Sequence, residues 1–208
     1  MLNIDNLIVH FDKGLRTLFS EARSIRPFPD SGLPDTALNE SEKKLAAALM
    51  RINHSGEICA QALYQGQAWT ARDSGLQKKL RQAADEETEH LAWTSRRVHE
   101  LGSHLSLLNP FWYTHSLAIG AFSGLLGDKW NLGFMAETER QVGIHLQGHL
   151  KKLPEKDTKS RAVIHQMISD EAKHGDVARE LGGAELSLPV RLAMQMSAKV
   201  MTRTAYWV

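Results

Sequence analysis

The sequence repeats itself once, and each copy carries the same polar residues. Glu57 is followed eight residues later by Gln65-Gly66, and Glu139 is followed at the same distance by Gln147-Gly148. Gln82 and the run Asp85-Glu86-Glu87-Thr88-Glu89-His90 correspond to Gln166 and Ser169-Asp170-Glu171-Ala172-Lys173-His174. Both copies then end in Glu-Leu-Gly, at 100–102 and 180–182, the second about one helical turn sooner. Such a duplication predicts two related substructures packed against each other.

Each copy reads as a helical hairpin. Helix formers dominate from Ser41, the expected N-cap, to about Ala71. A turn at Asp73-Ser74-Gly75 leads to a second helix from about Leu76 to Leu101. A third is expected from about Asp128 to Leu153, stopped by Pro154, and a fourth from about Ser160 to Leu181, closed by Gly182-Gly183. Ahead of these, residues 1–25 hold an amphipathic helix with Ile4, Leu7, Phe11, Leu15 and Leu18 at helical spacing, and residues 26–40 form a Pro-rich linker. The main domain is then 41–208. Nothing alternates polar and apolar for long enough to make a sheet, so the chain is expected to be all-α around a four-helix bundle.

With 208 residues the chain can bury a real core. Lys+Arg 25 against Asp+Glu 24 lacks the basic excess of a nucleic-acid binder. The single cysteine, Cys59, rules out a disulfide scaffold and any thiolate-built zinc or iron–sulfur site. The opening residues show no basic stretch of a signal peptide, and a reducing cytoplasmic setting fits.

Residues i and i+3 of a helix share a face, so Glu87 points with His90 and Glu171 with His174. At 100° per residue Glu87 falls among Leu76, Leu80, Ala83, Leu91 and Val98; Glu139 among Leu132, Met135, Val142 and Leu146; Glu171 among Ile164, Met167 and Ala178. Three acids thus lie on apolar faces, where an unpaired carboxylate is too costly to stay charged without a cation or strong hydrogen bonds. Glu57 has a more mixed face, with Met50, Asn53, Ala60 and Tyr64. Four helices thereby supply Glu, Glu-x-x-His, Glu and Glu-x-x-His, the inward-facing set of ferritin-like di-iron and di-manganese carboxylate proteins. Four carboxylates and two imidazoles suit two divalent ions such as iron or manganese, with positions left for O2. Glu86 and Asp170 each precede a ligand glutamate and could hold the ring N–H of the histidine on the facing helix. Glu89 is expected to be exposed, His54 to lie beside the site or at the surface, and Cys59 to be simply buried. His145 and Tyr64 are weaker candidates for an inner role.

Arg51-Ile52-Asn53-His54-Ser55-Gly56-Glu57, Asp85 to His90, Glu139 and Asp170 to His174 resemble the demethoxyubiquinone hydroxylases. The resemblance covers the chain from about residue 40. It implies a ferritin-like bundle that hydroxylates a polyprenylated methoxy-benzoquinol with O2 at two iron ions, as a di-iron monooxygenase of ubiquinone biosynthesis. Glu57, Glu87, His90, Glu139, Glu171 and His174 match that family's metal-ligand positions. A ferritin-like peroxidase or ferroxidase, or a non-catalytic lipid-binding component of a quinone-synthesis complex, are the alternatives.

A greasy substrate is suggested independently. Residues 101–127 contain no Asp, Glu, Lys or Arg. Asn109-Pro110 and several glycines interrupt this stretch, so a monotopic insertion beside the site is expected rather than a spanning helix, with substrate entering through it. Over 189–208, Arg191, Gln195, Lys199 and Arg203 recur at spacing four, a basic amphipathic helix suited to an anionic membrane surface. The expected location is the cytoplasmic side of a bacterial inner membrane, with a lipid-presenting partner protein or a homo-oligomer possible and no nucleic-acid partner.

Overall fold

The computed structural model describes residues 4–208; Met1, Leu2 and Asn3 of the expected N-terminal segment and the side chains of Asp5, Asn6 and Leu7 lie outside that description. The described residues form seven helices: α1 (Ile4–Phe19), α2 (Glu40–Thr70), α3 (Ser74–Glu100), α4 (Asn109–Leu125), α5 (Asp128–Lys152), α6 (Thr158–Glu180) and α7 (Leu188–Trp207). Helices α2, α3, α5 and α6 make the expected four-helix bundle, and no strand occurs among the described residues.

Local chemistry sets the helix ends. Asn39, rather than Ser41, caps α2: its side chain accepts from the Glu42 N–H at 2.9 Å, and the Glu42 carboxylate accepts from the Asn39 N–H at 2.7 Å. Asp73 caps α3 by accepting from the Leu76 N–H, so Ser74 and Gly75 belong to the helix rather than to a turn. The Asp128 carboxylate accepts from the N–H groups of Arg72 and Asp73, fastening the α2–α3 corner to the start of α5. The repeated Glu-Leu-Gly ends are two copies of one cap. Gly102 (φ 73°) and Gly182 (φ 87°) adopt the left-handed conformation. The next residues, Ser103 and Gly183, donate back to Val98 and Ala178.

The charge-free stretch is mostly α4, which runs alongside α2 and in the same direction. Ser55 donates to Asn109 near one end, and Thr70 donates to the Ala121 carbonyl near the other. The two backbones nearly touch. A Cβ on Gly120 would stand 2.1 Å from the Leu63 carbonyl, and one on Gly66 would stand 2.2 Å from that of Leu117. Glycine at these positions is what lets α4 pack flush.

Of three apolar clusters, the smallest (Ile58, Ala62, Leu91 and Tyr113) joins α2, α3 and α4, and two larger ones lie along the bundle. One gathers Leu49, Met50, Trp93, Val98, Leu146, Ile164 and Met167. The other gathers Tyr64, Leu76, Leu80, Ala83, Leu132, Met135 and Ala178. Along every bundle helix a stretch without buried members of either larger cluster separates the two: 51–63 on α2, 85–91 on α3, 136–145 on α5 and 168–177 on α6. The six candidate ligands all fall in those stretches.

Candidate metal centre

Midway along the bundle the candidate residues converge. The ligand atoms of Glu57, Glu87, His90 and Glu171 lie within 4.8 Å of one another, and so do those of Glu87, Glu139, Glu171 and His174. All six residues are buried, Glu87 and His90 completely.

The histidines are oriented alike. His90 turns Nδ1 inward, 3.3 Å from Glu57, 3.0 Å from Glu87 and 3.2 Å from Glu171. Its Nε2 faces outward, 3.3 Å from Asp170. His174 turns Nδ1 toward Glu87 and Glu171, each 3.4 Å away, and Nε2 toward Glu86 at 2.6 Å. So Glu86 and Asp170, each just before a ligand glutamate, do reach the outer nitrogen of the histidine across the bundle. This pseudo-twofold arrangement is the structural form of the sequence repeat.

Burial pushes the carboxyls of Glu57 and Glu139 well above their ordinary range, reinforced by neighbouring carboxylates. Burial acts the same way on Glu87, but the His90 charge and hydrogen bonds with His174 and His90 outweigh it and hold that carboxyl low. Glu171 is also lowered: hydrogen bonds with the two histidines overcome its burial and the Glu87 charge. Both imidazoles are held up against the cost of burial, His90 by the charge of Glu87 and His174, to about 12, by hydrogen bonds with Glu171 and Glu87. Without metal, the site therefore favours the charged forms of the two imidazoles, Glu87 and Glu171, and the neutral forms of Glu57 and Glu139.

The residues fit a pair of cations. Glu139 Oε1 is buried and has no hydrogen-bond partner, a costly condition that a bound cation would relieve. The donors are oxygen and imidazole nitrogen with no thiolate, since the Cys59 thiol is pushed up by burial to about 11 and its nearest hydrogen-bonding group is Ser116.

The weaker candidates lie elsewhere. His54 is buried, 3.4 Å from the Asn109 amide, and burial lowers its pKa to about 3. His145 packs its ring against His149, whose Nδ1 lies 2.7 Å from Asn53 Oδ1. Tyr64 sits wholly inside the second apolar cluster. Glu89 corrects an expectation: it is buried, not exposed, because residues 24–26 cover it. Its carboxylate accepts from the Ser24 hydroxyl and from the Ile25 and Arg26 N–H groups. Sequence reading also missed Arg26, which donates to Asp170 at 2.9 Å across a separation of 144 residues that no local pattern signals.

Comparison with known proteins agrees with this architecture. Residues 44–205 match the family described as ubiquinone biosynthesis protein COQ7. Proteins named 3-demethoxyubiquinol 3-hydroxylase are similar along the entire chain. The one from Nitrosospira multiformis is 63% identical over 208 residues, all of both chains, and the one from Nitrosomonas europaea is 59% identical over the same extent. That from Aromatoleum aromaticum is 60% identical over 203 residues, 98% of each. Among solved structures, the dodecameric thioferritin of Bacteroides fragilis, a bacterioferritin-related protein, superposes with a TM-score of 0.54 at 19% identity, over 77% of this chain and 92% of its own. That likeness makes the fold ferritin-like. With the family matching nearly the whole bundle and its relatives matching end to end, the chain belongs to the COQ7 family of ubiquinone biosynthesis proteins.

Proposed function

We propose that this chain is an O2-dependent monooxygenase that adds one hydroxyl to a polyprenylated methoxy-benzoquinol, 3-demethoxyubiquinol, at a carboxylate-bridged pair of iron ions. The observation that carries this reading is the overlap of the two four-residue sets, in which Glu87 and Glu171 belong to both. Glu57 and His90 complete one ion's set; Glu139 and His174 complete the other's. Two irons held there would supply the redox chemistry for activating O2, which side chains alone lack. The chain's own part is to fix and shield. Four carboxylates balance the charge of two divalent ions, Asp170 and Glu86 keep the inner nitrogens turned toward them, and the apolar clusters on either side exclude water. The full-length relatives' names support the substrate, whereas the thioferritin likeness extends to the fold alone. Glu171→Ala removes a ligand shared by both sets, so bound iron and hydroxylation are expected to disappear together. Full activity with unchanged metal content would refute the assignment.

The same reading has the enzyme lie on the cytoplasmic face of a bacterial inner membrane. No helix among the described residues is long and apolar enough to cross one. Supporting a peripheral mode, α4 exposes Phe111, Phe122 and Leu125, and α7 exposes Leu192, Met196, Val200 and Trp207. These helices adjoin where Ser197 and His115 come within 3.5 Å, and α7 also carries Arg191, Lys199 and Arg203. A cleft of about 830 Å³ lies beneath α1, but its border is mostly polar and charged, with Asp12, Arg16, Glu21, Gln61, Asp85 and Thr88, so entry of a greasy substrate beside α4 stays the proposed route. Basic residues near an anionic surface contribute about 1 kcal/mol each. Cosedimentation with phosphatidylglycerol-containing vesicles should therefore fall with salt and on Leu192→Glu. Binding insensitive to both would exclude this face.

A further inference from the structure

The two halves of the centre are not held equally. Glu86, the outer partner of His174, has a half-exposed side chain and a single further tie, from Gln82 at 2.9 Å. Asp170, the outer partner of His90, is buried and accepts from Gln166 at 3.0 Å, the equivalent contact in the repeat, and also from Lys173 at 3.1 Å and Arg26 at 2.9 Å. Arg26 donates to Oδ2, the same oxygen that faces His90 Nε2.

Arg26 reaches His90 by a second route. Its guanidinium lies 4.6 Å over the Trp93 ring, and that ring leans on the His90 imidazole with centroids 5.3 Å apart. The segment bearing it is nailed to α3 on both sides of His90. Glu89 accepts from the Ile25 and Arg26 N–H groups, and the Trp93 indole donates to Ser24 at 3.0 Å. Among the described residues no equivalent strap covers His174, whose outer partner Glu86 stays half-exposed.

We propose that Arg26 is a positioning residue for one half of the metal centre: by fixing Asp170 and Trp93 it fixes the His90 ring, so that one of two bound ions is held more tightly than the other. This rests on the metal reading above. The coupling ties metal occupancy to the N-terminal segment, which lies outside the 44–205 family match.

The test is a titration of the full-length, metal-free protein with Mn(II), following free Mn(II) by electron paramagnetic resonance, so that no turnover is needed. Wild type should bind two equivalents, one tighter. Arg26→Ala should weaken the tight equivalent about tenfold, the low end for losing an outer partner of a ligating histidine, and leave the other unchanged. Arg26→Lys should restore most of the loss. In an Asp170→Asn background Arg26→Ala should cost less than it does alone, the remaining loss being that of the Trp93 route. Arg26→Gln, which keeps a polar side chain but removes the guanidinium and its charge, replaces Arg26→Ala should that variant fail to fold. Two equivalents in wild type with an unchanged Arg26→Ala titration would overturn the strap alone, as would equal weakening of both equivalents. Wild type binding no Mn(II) would overturn the metal reading and the strap with it.

Discussion

At His90 and His174 the same ring nitrogen, Nδ1, faces the carboxylates, and the opposite nitrogen meets an acid from the neighbouring helix. A ligating imidazole whose outer N–H is fixed keeps one tautomer and one orientation. Asp170 is buried within a web of donors, whereas water can stand in for the more exposed Glu86. Asp170→Asn should therefore cost about 10–100-fold in metal affinity or turnover, and Glu86→Gln distinctly less. Metal titration and steady-state rates of the two variants check that order, and equal losses would contradict it. Both acids were legible in the sequence because the repeat places each just before a ligand glutamate. Glu89 was not. On helix geometry alone it points away from the ligand face, and what covers it comes from residues 24–26, more than sixty positions earlier. A side chain's solvent exposure depends on chain segments that its own periodicity does not report.

At the scale of elements, the four bundle helices follow from apolar spacing and their breaks from Gly and Pro, so their extents were readable to within a few residues. Their caps were less so. A cap belongs to whichever side chain reaches back to the free N–H groups, and the Asn39–Glu42 pair does this reciprocally while Ser41 lies one residue inside the helix. The charge-free segment reads as greasy by composition, yet Ser116, Gly120 and Gly124 turn toward α2 while Phe111, Phe122 and Leu125 face outward. Spacing of small residues, rather than hydropathy, was the signal for that packed face. Gly120→Ala puts a methyl where backbone already stands, and the helices must separate. A loss of at least about 1–3 kcal/mol is expected on denaturant unfolding, the range for overpacking. Gly148→Ala, on α5 with nothing within 4 Å, should instead gain about 0.5–1 kcal/mol by helix propensity. The opposite signs separate close packing from a general intolerance of substitution at glycine.

Across the whole molecule, the bundle places its most polar residues midway between two apolar clusters, where water cannot solvate them. In the protein without metal, neighbouring carboxylates favour the protonated forms of both histidines, and burial favours those of Glu57 and Glu139. Metal must displace those protons, so its affinity should fall as pH falls. Binding to the folded chain alone stabilises it, by about 2.7 kcal/mol per independent site at a ligand concentration of 100 Kd. For a chain of this length each kcal/mol raises the midpoint by about 2–4 °C. Saturating Mn(II) at neutral pH should therefore raise the unfolding temperature of the metal-free protein by roughly 10–20 °C, if both sites fill at that excess. The increment should shrink in acid at the same metal concentration. Glu171→Ala should lose most of it at any pH, and its own metal-free midpoint should fall, because the buried His90 and His174 lose one of the carboxylates that favour their charge. A wild-type midpoint indifferent to metal, or a Glu171→Ala protein that responds like wild type, would mean that these carboxylates are held together for some purpose other than binding cations.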